Sequence, residues 1–420
     1  MFNAAVFASH LELWATVAGK ADFSNATITG QAQLRGTYET ALICNYTQFA
    51  GDVVLWNSRI DGKAEFLAAE FEGALDCGYA TFGGVARFCE TTFEAGGDFQ
   101  HAQFTDAVRF RRIHAPDAVI TLQGAHLAAG TIEFSEPAHF DLADATFGQV
   151  TLQTASSVSL PTDLTAYLRF QQTDFAGFDF GGHAGAFKSD WCLDTLAPSW
   201  PVSGRPATDD RLARAERLED TYLRAKSGAT AAGHNRAASE FFVHEMRWRR
   251  RQHARRFPRR LQQTLVVAPT SAVEYAIAPV LGVGRILVDI LRAAVPGVSR
   301  PVATHGTIPA WESGYRWVSN ATLGVIAGYG ERPQRPVLAS LATIGLFAVG
   351  YWALGVTPAS QAPFGLGYGL LSIQSFITFI LGSNPVGAGF GPQLLSAIGG
   401  FVGAFLIAVF VFTLTRSIHR

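Results

Sequence analysis

Large apolar residues recur through the first third of the chain at alternating steps of five and six. Phe66, Phe71, Phe82, Phe88, Phe93, Phe99, Phe104 and Phe110 keep this rhythm, and Cys77 fills the one gap. Backwards it runs through Ile60, Leu55, Phe49 and Cys44, then less regularly through Leu34, Ile28 and Phe23. Two positions before most of these sits a small residue, such as Ala21, Ala26, Ala64, Ala69, Ala80, Ala86, Gly97 or Ala102. Steps of five and six match neither the 3.6-residue helix nor the two-residue strand. They predict a β-solenoid with flat sides of about five residues, each coil burying its core against its neighbours. The spacing reaches Phe7, so the first coil is expected to pair with another chain or to continue one that begins upstream.

A different pattern closes the chain. Residues 336–415 contain no Asp, Glu, Lys, Arg or His. Within this run, 337–356 and 394–414 are each long enough to cross a hydrocarbon core of about 30 Å as a helix. Between them, the apolar centre 369–381 is too short to span, which predicts a re-entrant helix. The Gly-rich exit 381–390 then needs neighbouring protein, a water-filled cavity or the outer interface around it. Arg316, Arg332 and Arg335 precede the first span, and Arg416 and Arg420 follow the second. Arg on both flanks predicts a multi-pass cell-membrane protein with both termini cytoplasmic. A short third span and a plain two-helix anchor with a surface loop are the alternatives.

The middle of the chain changes character twice. Residues 181–207 are rich in Gly, Pro, Ser and Trp and read as a linker. Leu212, Ala215, Leu218, Tyr222 and Ala225 then follow helical spacing, with Thr208 as N-cap. Residues 228–233 read as a turn, and Ala238, Phe241, Phe242, Glu245 and Trp248 as the stripe of a second helix. Eight arginines follow between Arg247 and Arg260. Val273, Ile277, Val280, Leu281, Val288 and Leu291 form one further stripe. Its charges, Glu274, Arg285, Asp289 and Arg292, fall within about 60° on a helical wheel. Such a helix lies in the membrane interface or packs on the soluble domain. The predicted plan is solenoid 1–180, linker 181–207, helical hairpin with a basic end 208–260, amphipathic pre-membrane region 261–335, and two-transmembrane pore domain 336–420.

The five-and-six recurrence resembles the pentapeptide-repeat family over roughly residues 5–152, fading after Arg112. That resemblance implies a right-handed quadrilateral β-helix. Residues 375–385 (SFITFILGSNP) resemble the pore loop of two-span, potassium-channel-like proteins of the helix, pore loop, helix type. It implies a homotetramer that passes a monovalent cation, without a bound cofactor, through a filter of stacked backbone carbonyls. Its pore residues would be Thr378, Phe379, Ile380, Leu381, Gly382, Ser383 and Asn384, with Thr378 matching the filter threonine and Gly382 the second filter glycine. The chain departs from the pattern at Ile380, Leu381 and Ser383 or Asn384, where that family has glycine, an aromatic and an acid. Ile380 resists the left-handed backbone that glycine allows, so potassium selectivity does not carry over. Gly399 and Gly400 fall where the family bends its inner helix, and equally suit close helix packing. Residues 237–247 and 328–333 are similar to segments that bacterial and archaeal pentapeptide-repeat channel proteins carry before the pore.

Charge refines the picture. Residues 1–150 hold 18 acidic and 8 basic side chains, a net of -10, and the remainder holds 16 and 25, a net of +9, which sums to -1 for the chain. Some pentapeptide proteins mimic DNA with an acidic rod; here a solvated acidic surface is the simpler reading. The basic cluster is expected to meet anionic lipid or a neighbour's acidic solenoid rather than nucleic acid. There is no phosphate-binding glycine loop, no nucleophile elbow, no zinc spacing and no His-Glu-x-x-His, so no enzyme is expected. Cys44 and Cys77 fall on inward positions as small apolar fillers. These features together predict an oligomeric ion channel whose cytoplasmic solenoid senses an unknown ligand, gates or assembles. The competing expectation is a membrane-anchored scaffold without conduction.

Overall fold

The computed structural model describes residues 2–155, 163–187, 191–201, 211–267, 310–330, 332–357, 366–381 and 389–418. Thr208 and the stripe from Val273 to Leu291 lie outside them. The chain divides into two compact units, Met1–Trp248 and Arg249–Arg420.

The first unit begins with a β-solenoid of about seven turns. Strands of two to four residues stack in parallel. Thr27 pairs with Gln48 and Glu70 with Thr92, so a coil takes 21 or 22 residues, four steps of the sequence rhythm. One side stacks five strands, from Val6–Phe7 to Thr92–Phe93; another stacks eight, from Leu11–Glu12 to Leu168–Arg169. The inward phenylalanines meet their equivalents one coil away. Phe66, Phe88 and Phe110 stack at 4.8 and 5.1 Å, and Phe49, Phe71 and Phe93 at 5.0 and 5.4 Å. Cys44 and Cys77 are fully buried free thiols in this core, and burial drives both far above their ordinary pKa.

The fading of the rhythm has a structural cause. The two remaining sides merge into one eleven-stranded sheet because Gln103–Arg111 runs across both. The earlier coil turns this corner at Gly83–Gly84. Later coils carry Thr105–Asp106, then Ala128 alone and Gly148 alone, there, and the chain passes through as the nine-residue strands Gln103–Arg111, His126–Phe134 and Thr146–Thr154.

In the stretch 181–207, marked by composition as a linker, the described residues 181–187 and 191–201 place several large side chains in the core. Trp191 and Trp200 are buried, as are Phe187 and Leu193. Trp200 covers His139, whose Nε2 lies 3.1 Å from Ser199 Oγ. Aromatic rings with no polar alternative draw this segment onto the solenoid. The hairpin helices Arg211–Ala231 and Asn235–Val267 follow. Gly228, expected in the turn, lies inside the first helix. A Cβ there would come within 2.7 Å of the Phe175 carbonyl oxygen, so only glycine lets the helix approach this closely. Phe241 meets Phe180 and Trp191 edge-on, and Lys226 pairs across the hairpin with buried Glu245.

In the second unit, Ala310–Ile326 leads through a tight turn at Gly328–Gly330 into Gln334–Ala353. Tyr329 adopts a φ of 61° and its ring lies over Gly324, while the Arg335 guanidinium donates to the Gly324 carbonyl at 2.6 Å. The helices Leu366–Leu381 and Phe390–Ile418 complete the unit.

Candidate pore-loop site

Two helices are long and apolar enough to cross a membrane, Gln334–Ala353 and Phe390–Thr415. We call them the first and second span. The middle helix, Leu366–Leu381, has 16 residues. At 1.5 Å per residue it measures about 24 Å, short of a hydrocarbon core.

The middle helix packs against both spans. Its inner face carries Leu371, Ser372, Ser375 and Phe376, all buried. Ser372 donates to the Ile344 carbonyl, halfway along the first span, at 2.7 Å. Tyr351 of the first span donates to Ser375 Oγ at 2.7 Å, and Ser396 of the second span reaches the same oxygen at 3.3 Å. One hydroxyl on the middle helix therefore ties all three elements. Polar bonds between helices are a means of holding them where the surroundings supply no water.

Close approach completes the packing. A Cβ on Gly403 would overlap the Phe376 carbonyl oxygen, and one on Gly399 would sit 3.1 Å from the Phe347 ring. Gly350 faces Leu395 in the same way. Gly399 and Gly400 both lie on the buried face of a helix that runs unbroken from Phe390 to Ile418. Their geometry here is that of close packing.

The predicted pore residues divide into two groups. Thr378, Phe379, Ile380 and Leu381 continue the middle helix to its end. Thr378 Oγ1 donates to the Gln374 carbonyl at 2.8 Å. Helical backbone differs from the extended carbonyl ladder implied by the channel resemblance, so any such ladder starts beyond Leu381. Gly382, Ser383 and Asn384 lie outside the described residues. The carbonyls of residues 378–381 are the last four of the helix and have no partner within it. They carry the partial negative charge of the helix C-terminus. With no Asp, Glu, Lys, Arg or His between 336 and 415, helix ends dominate the local field.

A second feature, on the solenoid, gave no signal in the inward rhythm. Along one corner Arg35 lies 4.9 Å from the Trp14 ring and 5.0 Å from the Trp56 ring. Trp56 then meets Tyr79 edge-on at 6.2 Å, and Tyr79 stacks on His101 at 4.9 Å. Trp14, Trp56 and Tyr79 are exposed. The signal lay in outward residues repeating once per coil.

No protein-family model matches the chain, and no curated protein matches its sequence. What stands is a β-solenoid joined to a helical region with two helices suited to crossing a membrane, an architecture compatible with a membrane-associated protein.

Proposed function

We propose that this protein is the subunit of an oligomeric, cation-conducting membrane channel. The single observation that carries the reading is the middle helix. It is too short to span, yet Ser372 and Ser375 bind it between two helices of spanning length. A plain anchor has no use for a third helix held by a polar node. A surface loop would keep its hydroxyls in water rather than buried against its neighbours.

In this reading, copies assemble so that the C-terminal ends of their middle helices surround an axis. The terminal carbonyls of Thr378–Leu381 present partial negative charge there, and residues 382–384 line the constriction. Partial negative charge favours cations over anions. The missing glycine, aromatic and acid of the potassium pattern argue for weak discrimination among monovalent cations. The solenoid and the docked helical hairpin form the cytoplasmic part, for sensing, gating or assembly.

Ion flux from liposomes tests the proposal. Vesicles loaded with KCl and carrying the purified protein should release potassium faster than protein-free vesicles, and vesicles loaded with NaCl should release sodium at a similar rate. Vesicles that hold well-folded oligomers and retain both ions would favour the scaffold reading.

A further inference from the structure

The outer face of the middle helix carries an unusual side chain for its surroundings. Leu366, Leu370, Ile373 and Gln374 are exposed and Ile377 is half-buried. On a helix of 3.6 residues per turn these five fall within about 100°. The inner face is already committed. Ser372 holds the Ile344 carbonyl and Ser375 holds Tyr351 and Ser396. The helix cannot roll to bury Gln374 without breaking those bonds. Gln374 sits between these two serines in sequence and projects from the other side of the helix.

The hydroxyls nearby are satisfied locally. Ser340 donates to Pro336, Thr343 to Ala339, Thr378 to Gln374 and Thr415 to Val411, each to a carbonyl of its own helix. A primary amide on a flexible side chain has no such recourse, and among the described residues the Gln374 amide has no hydrogen-bond partner. Leaving an amide unpaired in hydrocarbon is strongly unfavourable. By contrast, the exposed face of the first span holds Val337, Leu338, Leu341, Leu346, Val349 and Trp352. That face suits lipid. Gln393 is also exposed, but it lies in the first turn of a 29-residue helix that exceeds the bilayer core, near the headgroups.

We infer that the Leu370–Ile373–Gln374 face of the middle helix contacts a second copy of this chain, with the Gln374 amide hydrogen-bonded across that contact. The occupant is set by chemistry. Lipid tails offer no donor or acceptor, whereas a second copy offers the same amide, and two primary amides satisfy each other. Intramembrane polar side chains turn towards protein or water for this reason. The inference rests on the oligomeric reading above and adds which surface closes the assembly.

Disulfide trapping in membranes tests it. The full-length protein with Cys89→Ser and Cys192→Ser keeps Cys44 and Cys77, which are fully buried. Into it go Gln374→Cys, Leu370→Cys as a second probe of the same face, and Leu346→Cys on the first span. Oxidation with copper-phenanthroline should give a reducible dimer at position 374 or 370 and none at 346. Gln374→Leu in the otherwise native chain should weaken assembly about tenfold in detergent, read by native mass spectrometry. An oligomer that forms no disulfide at 374 or 370 overturns this interface and leaves the channel reading standing. Equal trapping at all three positions means random collision and also overturns it. A monomeric wild-type protein overturns both readings.

Discussion

Ala68, Glu90 and Arg112 hold left-handed backbone at successive solenoid corners, with φ of 50°, 58° and 53°. Non-glycine residues resist this region, at about 1–2 kcal/mol each. Bonds between coils offset the strain: the Ala68 amide donates to Cys89 and the Glu90 amide to Arg111, both at 2.8 Å. Nothing in these side chains announces the conformation, so the corners were not legible in the sequence. The inward Phe, Cys and Ala positions were, because burial imposes chemistry at each of them. Asp22 shows a second residue-scale effect. Burial alone would raise its carboxyl, but hydrogen bonds from Lys20 and Ser24 outweigh it and hold the pKa at about 2, below its ordinary 3.8. A folded value below the unfolded one means the carboxylate contributes stability above about pH 4, lost as pH falls towards 2. The shift corresponds to about 2 kcal/mol. Asp22→Asn should therefore lower denaturant stability by about that amount at pH 7, and the gap from wild type should close between pH 4 and pH 2. A gap of constant size would show that the loss comes from packing instead.

The elements are legible in the sequence to different degrees, for physical reasons. The solenoid announced itself because its period belongs to no other element. Its straightened corner was hidden, since Thr105–Asp106 in place of a glycine pair reads as an ordinary surface variation. The hairpin helices were visible in their stripes, but Gly228 marked a turn by local chemistry and a helix contact by tertiary demand. In the second unit, a middle helix too short to span and ending at Leu381 was legible, although it starts at Leu366 rather than 369; the Tyr351–Ser375–Ser396 node was not, because Tyr351 and Ser396 lie 24 and 21 residues from Ser375. Two substitutions weigh these elements. Phe88→Ala removes a ring stacked between Phe66 and Phe110 and should cost about 3–5 kcal/mol, read by denaturant unfolding of the full-length protein followed by tryptophan fluorescence. A loss under 1 kcal/mol would mean that the coils repack freely. Gly403→Leu drives a side chain into the Phe376 backbone and should cost about 1–3 kcal/mol by overpacking. In detergent its thermal midpoint should fall while the solenoid's unfolding stays where it was; an unchanged midpoint would mean that the middle helix is not held against the second span.

At the scale of the whole molecule, an acidic solenoid precedes a basic middle and an uncharged stretch at 336–415. The proposed gating role for the solenoid makes a clear demand on function. If the protein conducts as proposed, deleting residues 1–180 should change the fraction of time the pore is open while leaving its unit current intact. Unchanged gating would assign the solenoid to assembly or scaffolding. The proposed conduction path runs through the segment that follows the middle helix, and single-channel current in planar bilayers under a KCl gradient is its test. The purified full-length protein should give discrete currents with a reversal potential on the cation side, and Gly382→Asp should change their amplitude. A folded, membrane-inserted oligomer that stays silent, or currents that Gly382→Asp leaves untouched, would contradict the account.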